Sequence, residues 1–205
     1  MMPVNIHEVI PIIPPYNKIY RRLGFRKKTT KITIKQKKET DFFIEKALSF
    51  ISLRGCTLRE FINNNDGDKV TIGKLIFESK QLARFLFGCR ETLFMGATAG
   101  NTIMEAIADQ TATGNFYASV IYDATASEMT DAALNWLMNF YNSQLRREGK
   151  KLLPRRVSAG YSDINLEYQK KIYEQLEMQK IGVIINHSFI LRPEKSVTAI
   201  TGIYG

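Results

Sequence analysis

Glu91-Thr92-Leu93-Phe94-Met95-Gly96-Ala97-Thr98 reads as a strand that opens through Ala99-Gly100 into a helix over Asn101 to Thr111. A second, longer helical stretch follows, Asn115 to Arg147, which carries no proline. Its weak spot at Ser119 to Thr125 leaves two readings, one long helix or two joined at a kink. Beyond it come a short strand from Leu152, a loop over Ser158 to Asp163, and a helix over Leu166 to Gln179. The chain then alternates or runs apolar as strands do at Gly182 to Ile185, Phe189 to Leu191 and Ser196 to Tyr204. Regular βαβ spacing is absent, so the expected class is α+β: a single domain, 1–205, with a mostly antiparallel twisted sheet and flanking helices.

Upstream, Val4 to Ile13 reads as a strand closed by Pro14-Pro15, and Tyr16 to Leu23 as a helix ended by Gly24. Asp41 to Leu53 and Glu78 to Phe87 have helical spacing, and Asn63 to Asp68 reads as a turn or loop.

The 205 residues are 44% hydrophobic and 24% charged, an ordinary globular balance. A chain of this size buries roughly 70% of its unfolded surface, enough to fold without a metal or disulfide. No signal-like start or long apolar run occurs, so the chain is expected to be neither secreted nor membrane-spanning. Cys56 and Cys89 form no CxxC pair and read as buried or free thiols of a cytoplasmic protein. His7 and His187 stand apart from them, which argues against a His/Cys metal site and against histidine acid/base chemistry.

The net charge of +9 is concentrated in the basic N-terminal segment, 1–40. Between Lys18 and Lys38 stand Lys18, Arg21, Arg22, Arg26, Lys27, Lys28, Lys31, Lys35, Lys37 and Lys38 with no acidic residue among them, and the rest of the chain nets −1. Such a strip is either a landing surface for an anionic partner or a solvated face. Tyr16, Tyr20 and Phe25 share helical spacing with Ile19 and Leu23, which favours core contacts over base stacking.

Gly96 to Thr102 lacks the spacing and lysine of a phosphate loop, so it reads as a tight turn capped by Asn101 or Thr102. Asp123 and Glu128 lie five apart, poor for a shared helix face, and read as solvated. Arg155 to Asp163 is more informative, because it delivers an arginine into a small-residue, glycine-containing turn followed by an aromatic residue. There Arg156 offers a fork for a carboxylate, Ser158 and Gly160 allow close main-chain approach, and Tyr161 gives a flat face and a hydroxyl.

With its surroundings, Arg156-Val157-Ser158-Ala159-Gly160-Tyr161-Ser162-Asp163-Ile164-Asn165-Leu166-Glu167-Tyr168-Gln169 resembles the reactivation domain of cobalamin-dependent methionine synthase, including its stand-alone form. Ala97 to Gly100, Asp123-Ala124 with Ser127-Glu128, and Leu191 to Ile203 agree with the resemblance, which covers roughly residues 80–205. The N-terminal part matches only around Tyr20 to Gly24, and Ser158 and Ala159 stand where Ala and Pro are common.

The resemblance implies an accessory chain that binds S-adenosylmethionine and supports reductive remethylation of inactive cob(II)alamin. On it, Arg156 would hold the methionyl carboxylate, the main chain at Ser158 and Gly160 would touch the ligand, and Tyr161 would lie near the sulfonium or corrin. Glu128 and Asp131 are candidates for the acidic groups at the amino end. No Asp-x-His-x-x-Gly segment is present, so cobalamin would come on a partner, the cobalamin-binding methionine synthase chain. Electrons would come from a flavodoxin or ferredoxin-type protein, with neither nucleic acid nor membrane involved. The alternatives are a basic interaction or nucleic-acid-binding module and, third, a self-sufficient methyltransferase.

Overall fold

The computed structural model describes residues 3–26 and 29–205, so Lys27 and Lys28 of the basic strip lie outside the described residues. The strands are β1 (Asn5–His7), β2 (Arg54–Asn65), β3 (Lys69–Ile72), β4 (Leu75–Glu78), β5 (Glu91–Thr98), β6 (Lys151–Leu152), β7 (Ile184–Ile185), β8 (Leu191–Arg192) and β9 (Ser196–Tyr204). The α-helices are α1 (Tyr16–Arg22), α2 (Ile34–Leu48), α3 (Lys80–Phe85), α4 (Thr102–Ala112), α5 (Phe116–Leu145) and α6 (Tyr168–Gln175). One antiparallel sheet runs β4-β3-β2-β5-β9-β6 with β1 also on β2, and β7 and β8 form a separate hairpin. The chain is thus the expected α+β single domain. No described helix is long and apolar enough to cross a membrane.

β5 is the middle of the sheet, paired along its whole length with β2 and β9, and every one of its residues is buried. Because side chains alternate across a strand, Leu93, Met95 and Ala97 enter the core under α4 and α5, whereas Phe94 enters a second core under α3 and α6. A strand covered on both faces loses the polar alternation of a half-exposed one, as ETLFMGAT does. Gly96 sits where a Cβ would come within 2.8 Å of Cys56 Sγ and 2.9 Å of Met178 Cε. Burial pushes the Cys56 thiol up to about 12, so it is an inert part of this packing.

α5 is one continuous helix of 30 residues, which decides between the two sequence readings. It packs against β5, α4, α2 and α1. Ile19 of α1 and Ile44 of α2 meet Ile121 and Ala124 of α5, with Tyr16, Tyr20 and Leu23 around them, as the spacing had indicated.

Several boundaries differ from expectation. The strand over Val4 to Ile13 reduces to Asn5–His7, and Pro11, with no N–H, cannot extend the ladder. The helix expected from Asp41 begins at Ile34, because Thr33 and Gln36 form a capping box that starts it inside the basic run. Glu78 to Phe87 splits: Glu78 closes β4, and the Ser79 hydroxyl caps α3 by accepting from the Leu82 N–H at 3.0 Å. Asn63 to Asn65 belong to β2, and the turn is confined to 66–68. Leu166 to Gln179 breaks at Glu177, whose φ is +50, giving α6 and a 3₁₀ turn over Met178–Ile181. Phe189, placed in a strand, instead has φ +62 in the turn between β7 and β8. Asn101 occupies the N-cap position of α4, yet its side chain bonds Glu105 and caps no backbone N–H.

The C-terminal end of α5 is tied to the sheet by a charge cluster. Arg59 of β2 bonds both Glu91 of β5 and Glu148, and Lys150 reaches Glu91 at 2.6 Å and Glu148 at 3.3 Å. The Arg59 hydrogen bond holds the Glu91 carboxyl below the usual range and draws Glu148 down to about 2. A depressed native value means that the stabilisation is present above the unfolded value, about 4.3, and is lost as pH falls toward about 2. Urea midpoints are expected to drop across that interval, and less so in Glu148→Gln. A pH-independent midpoint between 4.5 and 2 would contradict the assignment.

Candidate functional site

The edge of β9 that faces away from β5 is only partly covered. Leu153 N–H donates to Gly202 at 2.9 Å, and Val157 exchanges both backbone hydrogen bonds with Ile200, at 3.0 and 2.8 Å. Between these points, among the described residues, Pro154, Arg155 and Arg156 form no backbone pair with β9, and backbone pairing to this edge ends at Val157. The result is a groove of about 1160 Å³ between the 153–162 segment, α5, the start of β9 and the β7–β8 turn.

One wall is polar and built from α5. Arg156 donates from Nη2 to Asp131 Oδ1 and from Nη1 to Asn135 Oδ1 at 2.7 Å, with Met138 Sδ at 3.7 Å from the same nitrogen. Asp131 and Asn135 are four apart, one above the other on the helix, so a single guanidinium spans both. Lys18 of α1 stands 3.7 Å from the other Asp131 oxygen.

The other wall is the turn itself. The Ser158 hydroxyl donates to the Thr198 carbonyl at 2.7 Å, fastening the turn to the β9 edge. Gly160, at φ +83, donates its N–H to Ile164 at 2.8 Å, and a Cβ there would meet Leu166 Cδ1 at 3.1 Å. Tyr161 is then thrown outward, 73% exposed at the groove mouth. From below, Asp163 accepts from the Ser79 hydroxyl and from the Gln81 N–H at 3.1 Å, and the Ser79 bond lowers its carboxyl. Ala159 and Ile164 bury into the core around Phe94. The N–H groups of Ser158 and Ala159 have no acceptor among the described residues, which leaves two donors beside the groove.

Of the sequence candidates, Arg156, Asp131, Ser158 and Tyr161 line this groove together. Gly160 shapes the turn and its own N–H is used within it. Glu128, one turn before Asp131, does not line the groove: it is 8% exposed and accepts from Arg22 Nε at 2.7 Å. Its reading as a solvated residue is therefore corrected, whereas Asp123 is exposed as expected and pairs with Lys195 at 2.6 Å. Asn135, Gln169 and Phe189 were not singled out. Asn135 had one available signal, its place four residues after Asp131 on a helix. Gln169 meets the Thr198 hydroxyl at 2.9 Å, and Phe189 reaches the groove only through the β7–β8 hairpin, so neither has a local signature.

The groove contains no histidine or cysteine, and no described cluster of three His, Cys, Asp or Glu could hold a metal ion. Its chemistry is that of binding: a carboxylate beside a guanidinium, two free peptide donors, and apolar surface from Tyr161, Leu166 and Phe189.

No protein-family model and no curated protein sequence matches the chain. A crystal structure of the MetH reactivation domain bound to AdoHcy superposes with a TM-score of 0.70, covering 98% of this chain and 78% of that one. At 14% identity the likeness is one of fold.

Proposed function

We propose that the chain binds S-adenosylmethionine in the β9-edge groove and serves as an accessory subunit that restores an inactive cobalamin-carrying methionine synthase chain. The observation that carries this reading is the pair Asp131 and Arg156 on the groove wall, with Asn135 bonded to the same guanidinium, in a fold shared with the MetH reactivation domain bound to AdoHcy. An amino-acid end needs an acceptor for its ammonium and donors for its carboxylate, and Asp131 and Arg156 supply both side by side. The N–H groups of Ser158 and Ala159 and the apolar surface of Leu166 and Phe189 suit the remainder of a nucleoside thioether.

S-adenosylmethionine brings a methyl group on a sulfonium that is its own leaving group, so no general base is required of the protein. What falls to this chain is to hold the ligand by its amino-acid end, to orient the methyl toward the groove mouth where Tyr161 stands, and to keep water out. The cobalamin and its reductant, a flavodoxin or ferredoxin-type protein, belong to partner chains in the cytoplasm. The chain is then a methyl-donor platform and not a self-sufficient enzyme.

Isothermal titration with S-adenosylmethionine and S-adenosylhomocysteine tests the reading. Saturable one-to-one binding of both, with none of ATP, is expected. If neither binds, alone or with a corrinoid-carrying methionine synthase chain present, the reading is wrong.

A further inference from the structure

We infer that the basic face formed by α1, the Phe25-Arg26 segment and the start of α2 is a docking surface for an acidic protein, one that inserts an anchor side chain into the groove beneath it. Arg21, Arg26, Lys31, Lys35 and Lys38 are all exposed, and none has a carboxylate partner among the described residues. Cations left unpaired at this density repel one another and raise a positive potential that an acidic surface relieves. The remaining described cations of the strip do pair: Lys18 with Asp131, Arg22 with Glu128, Lys37 with Asp41 at 2.5 Å. The first two pairs tie α1 to α5 and the third lies within α2, and the free charges sit on this base.

The surface is concave. A groove of about 1150 Å³ lies under the cations, walled by Tyr16, Tyr20 and Phe25. Tyr20 and Phe25 meet edge to face at 5.4 Å, and the Tyr20 hydroxyl is held by Asp41 at 2.7 Å and the Tyr16 hydroxyl by Glu45. Aromatic walls inside a charged rim are the arrangement of a protein–protein anchor pocket. Ile34, 79% exposed, and Phe42, 60% exposed, add apolar surface on the outer face of α2.

The groove also separates this occupant from other polyanions. Asp41 and Glu45 line it, so a phosphate entering with a nucleic acid would meet two carboxylates, and both tyrosines are turned by hydrogen bonds to those acids. A bilayer surface cannot fill a concavity. An acidic protein can place its carboxylates on the rim and an apolar or basic anchor inside. Because Lys18 is 3.7 Å from Asp131, the surface starts at the lip of the β9-edge groove. A protein docked here therefore lies beside that groove.

Heteronuclear NMR titrations of the full chain provide the test, with three probes: a synthetic Glu-rich peptide carrying leucine and lysine anchors, a single-stranded oligonucleotide of equal net charge, and phosphatidylserine-containing vesicles. The peptide is expected to shift α1 and α2 resonances, including those of Tyr20 and Phe25, and to weaken with added salt. The variant Arg21→Glu/Arg26→Glu/Lys35→Glu should bind it roughly tenfold or more weakly. Since these residues have no structural partner, its thermal unfolding should match the parent. Peptide affinity unchanged by the reversal, tighter binding of the oligonucleotide or the vesicles, or no response to any probe would each overturn the inference.

Discussion

Arg156→Ala is expected to abolish most binding of S-adenosylmethionine while leaving the fold in place. The guanidinium reaches from the 154–156 segment to α5, donating to Asp131 and Asn135 and leaving further N–H groups for a ligand carboxylate. Losing charge-assisted hydrogen bonds to a carboxylate costs about 2–3 kcal/mol, which raises the dissociation constant roughly 30- to 150-fold. Stability should change little, because Asp131 is 44% exposed and can be hydrated once its partner is gone. Arg156→Lys keeps the charge but not the fork, so it is expected to recover only part of the affinity. Asp123→Asn, which breaks the pair with Lys195 outside the groove, is the control and should bind as the parent does. Titration calorimetry on the three variants reads the result, with circular dichroism melts for the fold. Affinity preserved in Arg156→Ala would remove this residue from the site.

The sequence was most legible where a segment's own chemistry set its structure. ETLFMGAT could be read as a strand because both of its faces are covered, and Gly100 as a turn because its φ of +85 suits glycine. α5 was legible as helix but not as a single one, since small residues around Ser119 to Thr125 look weak in isolation. They are small because α1, α2 and α4 close on them. The three-stranded region β2 to β4 escaped for the opposite reason. Asn63 to Asn65 carry turn chemistry, yet pairing with β3 overrides it and pushes the turn to 66–68.

The site shows the same division. The turn at Arg156 to Asp163 was legible because a glycine and small residues beside an arginine mark a place where main chain is offered to a ligand. What the turn faces was not, since Asp131 and Asn135 lie 25 and 21 residues away in sequence and are brought near only by the docking of α5 on the sheet. Asp131 and Glu128 were indistinguishable as helix acids three apart. Their separation is a tertiary fact: Arg22 of α1 takes Glu128, and Arg156 takes Asp131.

The core under the turn is where a single deletion should cost most. Phe94 is 1% exposed, flanked across the sheet by Leu58 and Ile200, and its ring lies 6.3 Å from that of Phe77 at 27°. The same cluster holds Ala159 and Ile164 of the turn and Ile172 and Leu176 at α6, so the residue supports the groove from the opposite side of the sheet to α5. Phe94→Ala removes the ring and leaves a cavity that β5, paired on both edges, cannot close by moving. The expected loss is about 3–5 kcal/mol, and with roughly 2–4 °C per kcal/mol at this chain length the melting temperature should fall by about 6–20 °C. Urea unfolding with an unchanged slope would show that stability and not the denatured state has moved. S-adenosylmethionine in excess should restore part of the loss in Phe94→Ala, because a ligand that binds only the native state stabilises it, and at the same concentration should restore clearly less in the double variant with Arg156→Ala. A loss below about 1 kcal/mol would mean that the turn and α6 do not rest on this ring. The groove would then owe its shape to the α5 wall alone.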